Sequence, residues 1–438
     1  MAGSSILIYT KSVTPRLKYT FDLIISDLLG MNYKLVHDRE EFISHSGPKF
    51  SYCDHALGDE PFFYAARLLF ERGIEDQQIA VFEWNGLKAF FATHPKYAMP
   101  FDPFAASFYL VSRYEEYLPH LRDIHDRYDT TESIAYQKNF LGKPLVNNYA
   151  FAIRDLLKSR YPQLQFPQRK YRFISTIDID NAWAYQQKGF MRTSGAYARS
   201  LLKFDFEEFM ERTRVLTGIE KDPYDTYDLQ FEIQRKYKFR AIYFFLLGEY
   251  GENDKNVPVT SRKFRSLIKM IADYAEVGIH PSYGSNKNPG RLKKELAELS
   301  TILKREVTRS RQHFLVLRLP DTYRKLVELD ITDDYTMGYA LQVGFRASIC
   351  TPFYFYDLDN EQVTPLRIHP FAVMDATLKY YMKVKPEDAM NYILPLIEEV
   401  KKVNGDFVSL WHNESLSENK IWSGWRDVYE QMVKAAVS

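Results

Sequence analysis

The stretch Phe173-Ile-Ser-Thr-Ile-Asp-Ile-Asp180 is an apolar, β-branched run that ends in two carboxylates. Because successive side chains of a strand point to opposite faces, Asp178 and Asp180 are expected on one face, at the carboxyl end of the strand. Two carboxylates this close repel each other unless a cation lies between them or they share a proton. The pattern indicates a cation site or an acid–base pair, although solvent-facing aspartates that cap the next helix fit it equally well.

Outward from this stretch, strand-like and helical patterns alternate along the chain. Apolar residues recur at helical spacing in Phe264–Tyr274 and Leu292–Leu303. This alternation predicts an α/β fold with a parallel sheet, either open or closed into a barrel, whose chemistry gathers at the carboxyl ends of the strands. The predicted strands are Arg172–Asp180, Phe239–Leu247, Val277–His280, Arg309–Leu315, Gly344–Ser348, Arg367–Met374 and Asp406–His412.

A domain boundary is predicted at Ser159–Arg169, which contains two prolines and several polar residues. We therefore expect an N-terminal α/β domain of unknown role over residues 1–165 and a catalytic domain over residues 166–438. The first domain has predicted strands at Ile6–Tyr9 and Ile79–Trp84. Its predicted helices are Leu17–Leu29, Phe62–Arg72, Phe104–Glu116 and Tyr149–Lys158.

Composition excludes several classes of protein. Of the 438 residues, 45% are hydrophobic and 26% are charged, as in ordinary globular proteins. The 58 Lys and Arg nearly balance the 57 Asp and Glu, so the chain has no overall field that would gather nucleic acid. Two cysteines, Cys53 and Cys350, cannot form a disulfide framework. Without a signal-like N-terminus or a long apolar run, the sequence predicts a cytoplasmic protein with no membrane span.

Three histidines also end strand-like apolar runs: His280, His313 and His412. Taken singly, each is more often a partly buried histidine with a satisfied hydrogen bond. Because all three lie at strand ends, as the Asp pair does, we favour a shared metal site over three unrelated buried histidines. One aspartate and two imidazoles give three protein ligands and leave a position for water, which is the composition of a catalytic metal site.

Three segments resemble, in order, the first, second and last motifs of the polysaccharide deacetylases, which form the metal-dependent carbohydrate esterase family four. They are Thr176-Ile-Asp-Ile-Asp180, Glu276-Val-Gly-Ile-His280 and Ser409-Leu-Trp-His412. The resemblance covers roughly residues 170–438 and implies an irregular (β/α) barrel of about seven strands. It further implies that Asp178 is the general base, that Asp180 and His280 bind the metal, and that His412 is the catalytic acid.

The sequence departs from this family pattern in two places. Ile179 separates aspartates that are usually adjacent, so the roles of Asp178 and Asp180 remain exchangeable. The second motif normally has another histidine four residues after the first, and Gly284 stands there. We predict that His313 supplies this ligand to a divalent metal, Zn²⁺. If His313 does not reach the metal, the protein is a degenerate, noncatalytic member. Arg311 falls where the family has an arginine that orients the base.

Six weaker candidates are predicted to contact substrate. Aromatic faces suit sugar rings, and polar side chains at strand ends can orient a catalytic histidine or bind sugar hydroxyls. Core aromatics and buried ion pairs are the structural alternatives. The candidates are Tyr283, Trp183, Trp411, Arg346, Asp334 and Asp375.

These residues together predict a metal-dependent hydrolase that removes N-acetyl groups from an amino sugar or a polysaccharide precursor. Its expected partner is an N-acetylated saccharide, with no nucleic acid and no membrane span. Three alternatives stay open: an amide hydrolase with a small non-sugar substrate, a glycosyltransferase that uses Asp178-Ile-Asp180 as an Asp-x-Asp element, and a noncatalytic carbohydrate-binding protein. The sequence does not indicate an oligomeric state.

Overall fold

The β-branched run at residue 173 forms a central strand of a nine-stranded sheet in the computed structural model, which describes residues 5–438. The sheet order is β12-β13-β11-β10-β9-β8-β7-β15-β14, and all neighbours are parallel except the antiparallel pair β12 and β13. The strands are β7 (Arg172–Ile179), β8 (Arg240–Leu246), β9 (Glu276–His280), β10 (Arg309–Ser310), β11 (Asp333–Asp334), β12 (Phe353–Asp357), β13 (Gln362–Ile368), β14 (Val373–Met374) and β15 (Asp406–His412).

Eight α-helices accompany this sheet in the described residues. In Arg262–Tyr274, the buried side chains recur at helical spacing, and the Ser261 hydroxyl accepts the N–H of Phe264 as an N-cap. The central strands β7 and β8 are buried almost throughout, as is typical of parallel strands covered on both faces. The helices are α6 (Phe190–Leu202), α7 (Phe206–Leu216), α8 (Tyr227–Tyr237), α9 (Arg262–Tyr274), α10 (Pro289–Leu303), α11 (Asp321–Glu328), α12 (Pro386–Lys402) and α13 (Trp425–Val437).

The predicted barrel is not closed by strand pairing within residues 5–438. The strands β13 and β14 lie near opposite ends of the sheet order, yet only residues 369–372 connect them. Main-chain hydrogen bonds tie this link to both sides, because His369 N–H donates to Asp334 O and Ala372 N–H donates to Val408 O. The sheet therefore curves until its ends approach, and a loop rather than a ladder spans the gap.

A second parallel sheet lies in the N-terminal part, with the order β2-β1-β3-β4. The Asp102 carboxylate caps the helix Pro103–Val111 by accepting the N–H groups of Phe104 and Ala105. The strands are β1 (Ser5–Tyr9), β2 (Asn32–Val36), β3 (Lys49–Cys53), β4 (Phe62–Tyr64) and the hairpin of β5 (Phe82–Trp84) with β6 (Leu87–Ala89); the helices are α1 (Pro15–Phe21), α2 (Arg39–Ser44), α3 (Pro103–Val111), α4 (Ile134–Gln137) and α5 (Leu145–Arg160).

Several predicted elements are corrected by the structure. Residues 62–72 are not helical throughout, because Phe62–Tyr64 pairs with β3 as an edge strand and tertiary pairing overrides the local pattern. Residues 344–348 form no strand, because Gly344 has a φ of 126° and its N–H donates to Ala372 O. The predicted strands Arg309–Leu315 and Arg367–Met374 are interrupted, the first after Ser310 and the second at residues 369–372.

The N-terminal part packs directly onto the larger sheet. One hydrophobic cluster includes residues from both parts, among them Phe108 and Tyr356. Main-chain hydrogen bonds also cross the predicted boundary, from Val146 N–H to Ser348 O and from Phe345 N–H to Leu141 O. The boundary near residue 165 stays a prediction. Among residues 5–438, no helix is both long and apolar enough to cross a membrane.

Candidate metal centre

The parallel sheet brings four of the predicted site residues to one edge. Asp178 lies near the end of β7 and Asp180 follows it, while His280 and His412 are the last residues of β9 and β15. His412 pairs with Asp178 in the register of β15 and β7. Because adjacent parallel strands end side by side, residues far apart in sequence meet here.

Asp180, His280 and His313 present one donor atom each to a common point. His280 Nε2 lies 3.2 Å from Asp180 Oδ1, and His313 Nε2 lies 3.3 Å from Asp180 Oδ2. The donor atoms of all three residues lie within 4.8 Å of one another. His313 reaches this point because the chain leaves β10 after Ser310 and turns into a short 3₁₀ segment, His313–Leu315.

The other ring nitrogens of the two imidazoles are held by fixed partners. His280 Nδ1 lies 2.6 Å from Arg311 O, and His313 Nδ1 lies 2.9 Å from Asp254 Oδ1. A carbonyl oxygen only accepts hydrogen bonds, so His280 carries its proton on Nδ1 and presents the Nε2 lone pair to the site. An imidazole held in this way is preset as a metal ligand.

The donor set fits a divalent metal such as zinc, which takes imidazole nitrogen and carboxylate oxygen together. Asp180 Oδ1 is buried and has no hydrogen-bond partner among residues 5–438, so this oxygen is free to bind a cation. Burial by itself would raise the pKa of Asp180, but the imidazoles of His313 and His280 lower it well below its usual value. The carboxyl group is therefore ionised, as a metal ligand must be.

Asp178 has a different environment from Asp180. Its carboxylate is buried, and Oδ1 accepts a hydrogen bond of 3.1 Å from Arg311 Nη1. Arg311 also donates to Thr176 Oγ1 at 2.6 Å and to Tyr335 O at 3.0 Å, so the guanidinium itself is fixed. Asp178 Oδ2 faces the site, 3.6 Å from His280 Nε2. A fixed arginine thus compensates the charge of Asp178 and leaves one oxygen free.

His412 also lies close to Asp180, with its Nε2 3.8 Å from Asp180 Oδ2. Its Nδ1 lies 2.8 Å from Asp375 Oδ1, and its main-chain N–H donates to Asp375 Oδ2 at the same distance. Burial would lower the pKa of His412, but Asp375 and the nearby aspartates raise it well above its usual value. The imidazole is therefore protonated at neutral pH and can act as a proton donor.

The cavity around these side chains has a volume of about 190 Å³ and includes residues that sequence patterns did not reveal. Arg127 comes from the N-terminal part. Its guanidinium donates hydrogen bonds to Asp123 and to the main-chain oxygen of Phe314. Glu414 lies two residues after His412, and burial raises its pKa to about 7. The sequence could have indicated Glu414, because it lies two residues after the predicted site residue His412. Arg127 lies in a loop with no periodic pattern, so nothing in the sequence indicated it.

The sequence analysis also did not identify Asp254, which contacts two parts of the site. Besides His313, it accepts the N–H groups of Tyr283 at 2.9 Å and Gly284 at 3.1 Å. A Cβ atom at position 284 would lie 2.7 Å from Arg291 Nη1 and 3.7 Å from Asp254 Oδ2. The position that has a histidine in the family motif therefore faces Arg291 and Asp254.

The structure does not bring four of the predicted substrate residues to the cavity. Trp183 and Trp411 are buried in the hydrophobic core, so neither ring has a free face for a sugar. Arg346 binds Glu116 with two hydrogen bonds, of 2.9 and 2.6 Å, and Asp334 accepts Ser310 Oγ and Thr336 Oγ1. The prediction of sugar contacts is corrected for these residues because burial and internal pairing occupy them.

The other two predicted substrate residues lie closer to the site. Tyr283 packs edge-on against Phe314, which lines the cavity, with 5.4 Å between the ring centroids. Asp375 holds His412 rather than facing the cavity. Asp375 is thus placed to orient the imidazole, which was one of the roles predicted for it.

Comparisons with known proteins give a family match for the N-terminal part only. Residues 6–162 match a family of unknown function, DUF7033. No curated protein matches the sequence.

Several solved structures are similar to this chain over about three fifths of its length. A putative polysaccharide deacetylase from Mycobacterium smegmatis is 12% identical, with a TM-score of 0.40, over 63% of this chain and 87% of that one. The polysaccharide deacetylase Bc1974 from Bacillus cereus is 11% identical, with a TM-score of 0.29 and coverages of 60% and 88%. The allantoinase Puue is 8% identical, with a TM-score of 0.38 and coverages of 62% and 87%. Because these TM-scores lie below 0.5, a functional assignment rests on the side chains of the site.

Proposed function

We propose that the protein is a metal-dependent hydrolase that removes an N-acetyl group from an amino sugar. The observation that carries this proposal is the convergence of three potential ligands, Asp180, His280 and His313, between two further groups held by ion pairs. One of these groups is a carboxylate beside an arginine, and the other is an imidazole beside an aspartate. Metal-dependent amide hydrolysis uses this combination of metal ligands, base and acid.

The two aspartates suit different roles. Asp180 faces the imidazoles of His280 and His313, so we assign it as a metal ligand. Asp178 is bound by Arg311 through one oxygen and keeps the other free towards the site, so we assign it as the general base. If Asp178 were the ligand and Asp180 the base, Asp180 Oδ1, which has no hydrogen-bond partner among residues 5–438, would also have no cation.

Each residue then has a defined task in the hydrolysis. A divalent metal, when bound by Asp180, His280 and His313, supplies Lewis-acid chemistry towards water and the acetamide oxygen. Asp178 Oδ2 accepts the proton of the water that attacks the carbonyl carbon. His412 Nε2 donates a proton to the departing amine as the C–N bond breaks, while Asp375 holds the ring through Nδ1. Acetate and the free amino sugar are the products.

Metal content and acetate release test this assignment together. We expect the wild type to bind one equivalent of Zn²⁺ and to release acetate from N-acetylated saccharides. His313→Gln should weaken metal binding by more than a hundredfold, whereas His94→Gln, which alters an exposed histidine outside the site, should bind like the wild type. Asp178→Asn should keep the metal and lose activity by about a hundredfold or more.

The outcomes separate the proposal from its alternatives. Metal binding with hydrolysis of small amides, but not of N-acetylated saccharides, would select the non-sugar hydrolase. Unchanged metal affinity in His313→Gln would contradict the ligand assignment. Retained wild-type turnover in Asp178→Asn would contradict the base assignment.

A further inference from the structure

A second cleft, of about 590 Å³, opens beside the metal cavity. It lies between the segment after β7, the helices α6 and α7, and the segment around Lys420, and we call it the basic cleft. Trp422 lines both the basic cleft and the metal cavity, and Asn181, which follows the proposed ligand Asp180, also lines the cleft. A molecule in the cleft would therefore lie next to a substrate at the metal.

The basic cleft has a large excess of positive charge. One carboxylate, Glu208, faces six cationic side chains among its lining residues. Glu208 already binds Arg212, and it lies 4.0 Å from Arg199. The cationic residues are Lys188, Arg192, Arg199, Arg212, Lys255 and Lys420.

Three of these cations have no carboxylate within 4.0 Å among residues 5–438: Lys188, Arg192 and Lys255. The Arg192 guanidinium is fixed, since it donates to Asn256 O and Lys255 O at 3.1 and 3.0 Å and lies 3.9 Å from the centroid of the Tyr250 ring. Burial and the neighbouring Arg192 lower the pKa of Lys188 to about 7. The charge of Arg192 is thus held in place without a carboxylate partner, and Lys188, which is only partly protonated at neutral pH, would be protonated more fully beside an anion.

One buried hydrogen-bond donor of the basic cleft also lacks a partner. Arg212 is only 6% exposed, and its Nε has no hydrogen-bond partner among the described residues. A buried guanidinium N–H that lacks an acceptor costs free energy, so the charge of Arg212 at the wall of the cleft is only partly compensated within the protein.

We infer that the basic cleft binds a phosphate or pyrophosphate group of the saccharide substrate, which deepens and rests on the deacetylase function proposed above. Lys188, Arg192 and Lys255, which lack carboxylate partners, match a group with two or more negative charges better than a single sugar carboxylate, because a dianion also favours the protonated form of Lys188. Phosphate oxygens also accept several charge-assisted hydrogen bonds at once, and Arg192 keeps N–H groups to donate beyond its two main-chain carbonyl contacts. The substrate class is therefore an N-acetylated amino sugar that has a phosphate or diphosphate substituent.

Calorimetric titration of the full-length protein with inorganic pyrophosphate tests the cleft independently of catalysis. We expect Lys188→Met and Arg192→Gln each to raise the dissociation constant about tenfold, because each removes one charge-assisted contact. Lys269→Met, on an exposed part of α9 outside the cleft, should bind like the wild type. His313→Gln should also bind like the wild type, since pyrophosphate held at the metal centre would be lost in that variant instead.

Two results would overturn the inference: equal dissociation constants for the wild type and both cleft variants, or loss of pyrophosphate binding in His313→Gln alone. Deacetylation assays separate this failure from failure of the proposed function. We expect kcat/KM for N-acetylglucosamine 1-phosphate to exceed that for N-acetylglucosamine, and Lys188→Met to reduce the ratio. A nucleoside diphosphate derivative of the same sugar, tested in parallel, distinguishes a diphosphate from a monophosphate source. Acetate release with no such preference would keep the hydrolase and reject the phosphate subsite.

Discussion

Replacement of Asp375 by asparagine tests how His412 is kept protonated. Asp375 Oδ1 lies 2.8 Å from His412 Nδ1, and the substitution removes the negative charge while keeping the shape of the side chain. With an effective dielectric constant of about 20, Coulomb's law gives roughly 6 kcal/mol for unit charges at this separation. This value is an upper bound, because an asparagine oxygen can still accept the Nδ1 proton.

The expected result is a lower pKa of His412 and an earlier loss of activity as the pH rises. The nearby carboxylates raise the folded-state pKa of His412, so the protonated imidazole persists above its ordinary pKa. Without Asp375, deprotonation occurs at lower pH, and the alkaline limb of the pH–rate profile should move down by at least about one pH unit. The assay is acetate release across pH 6–10 at saturating substrate and metal.

The chain offers a matched control in a second Asp–His pair. Asp333 Oδ1 lies 2.6 Å from His369 Nε2, and neither residue lines the metal cavity. Asp333→Asn makes the same chemical change and should leave the pH–rate profile unchanged. An alkaline limb at the same pH in Asp375→Asn and the wild type would refute the acid role of His412. Metal affinity should stay unchanged in both variants, because the ligands are not altered.

Two further predictions concern stability and the family motif. Burial would raise the pKa of Glu116, but Arg346 and Arg113 lower it from 4.5 to about 2. The ionised form therefore contributes about 3 kcal/mol to the free energy of unfolding. This contribution is fully present above pH 4.5 and is lost as the pH falls through 2. Urea unfolding should therefore show Glu116→Gln to be less stable than the wild type at pH 7 by several kcal/mol and the difference to shrink near pH 2; a constant difference would contradict this account. Gly284→His should not strengthen zinc binding, because position 284 faces Arg291, and a tighter site in a metal titration would contradict the geometry.

Much of the geometry of the candidate metal centre could be predicted, because the side-chain periodicity and the ends of strands follow simple rules. Asp178 and Asp180 share a face by the period of two, and the apolar runs that end at His280 and His412 mark the carboxyl ends of β9 and β15. Parallel strands bring such ends together without any information about the rest of the fold. The roles of these residues remain predictions that mutagenesis can test.

Other features depend on contacts that no local pattern encodes. Arg127 and Asp254 reach the site from loops, where burial and hydrogen bonding are decided by the packing of distant segments. Trp183 and Trp411 were predicted to contact substrate because aromatic faces suit sugar rings, but both rings are buried in the core, which was the structural alternative. The helical pattern at residues 62–72 failed for a related reason, since pairing with β3 determines the conformation there.

Asp254 contacts both Gly284, which stands in place of the usual second-motif histidine, and His313, which is predicted to replace it. One of its oxygens, Oδ1, binds both Tyr283 N–H and His313 Nδ1, and the other accepts Gly284 N–H. The turn after β9 and the imidazole of His313 are therefore fixed by the same carboxylate. A side chain at position 284 would displace the end of Arg291 and lie in contact with that carboxylate, so position 284 is directed at Arg291 and Asp254. The turn that has glycine in place of the usual histidine and the imidazole of His313 thus share one carboxylate, and Asp180, His280 and His313 remain three potential ligands without the second-motif histidine.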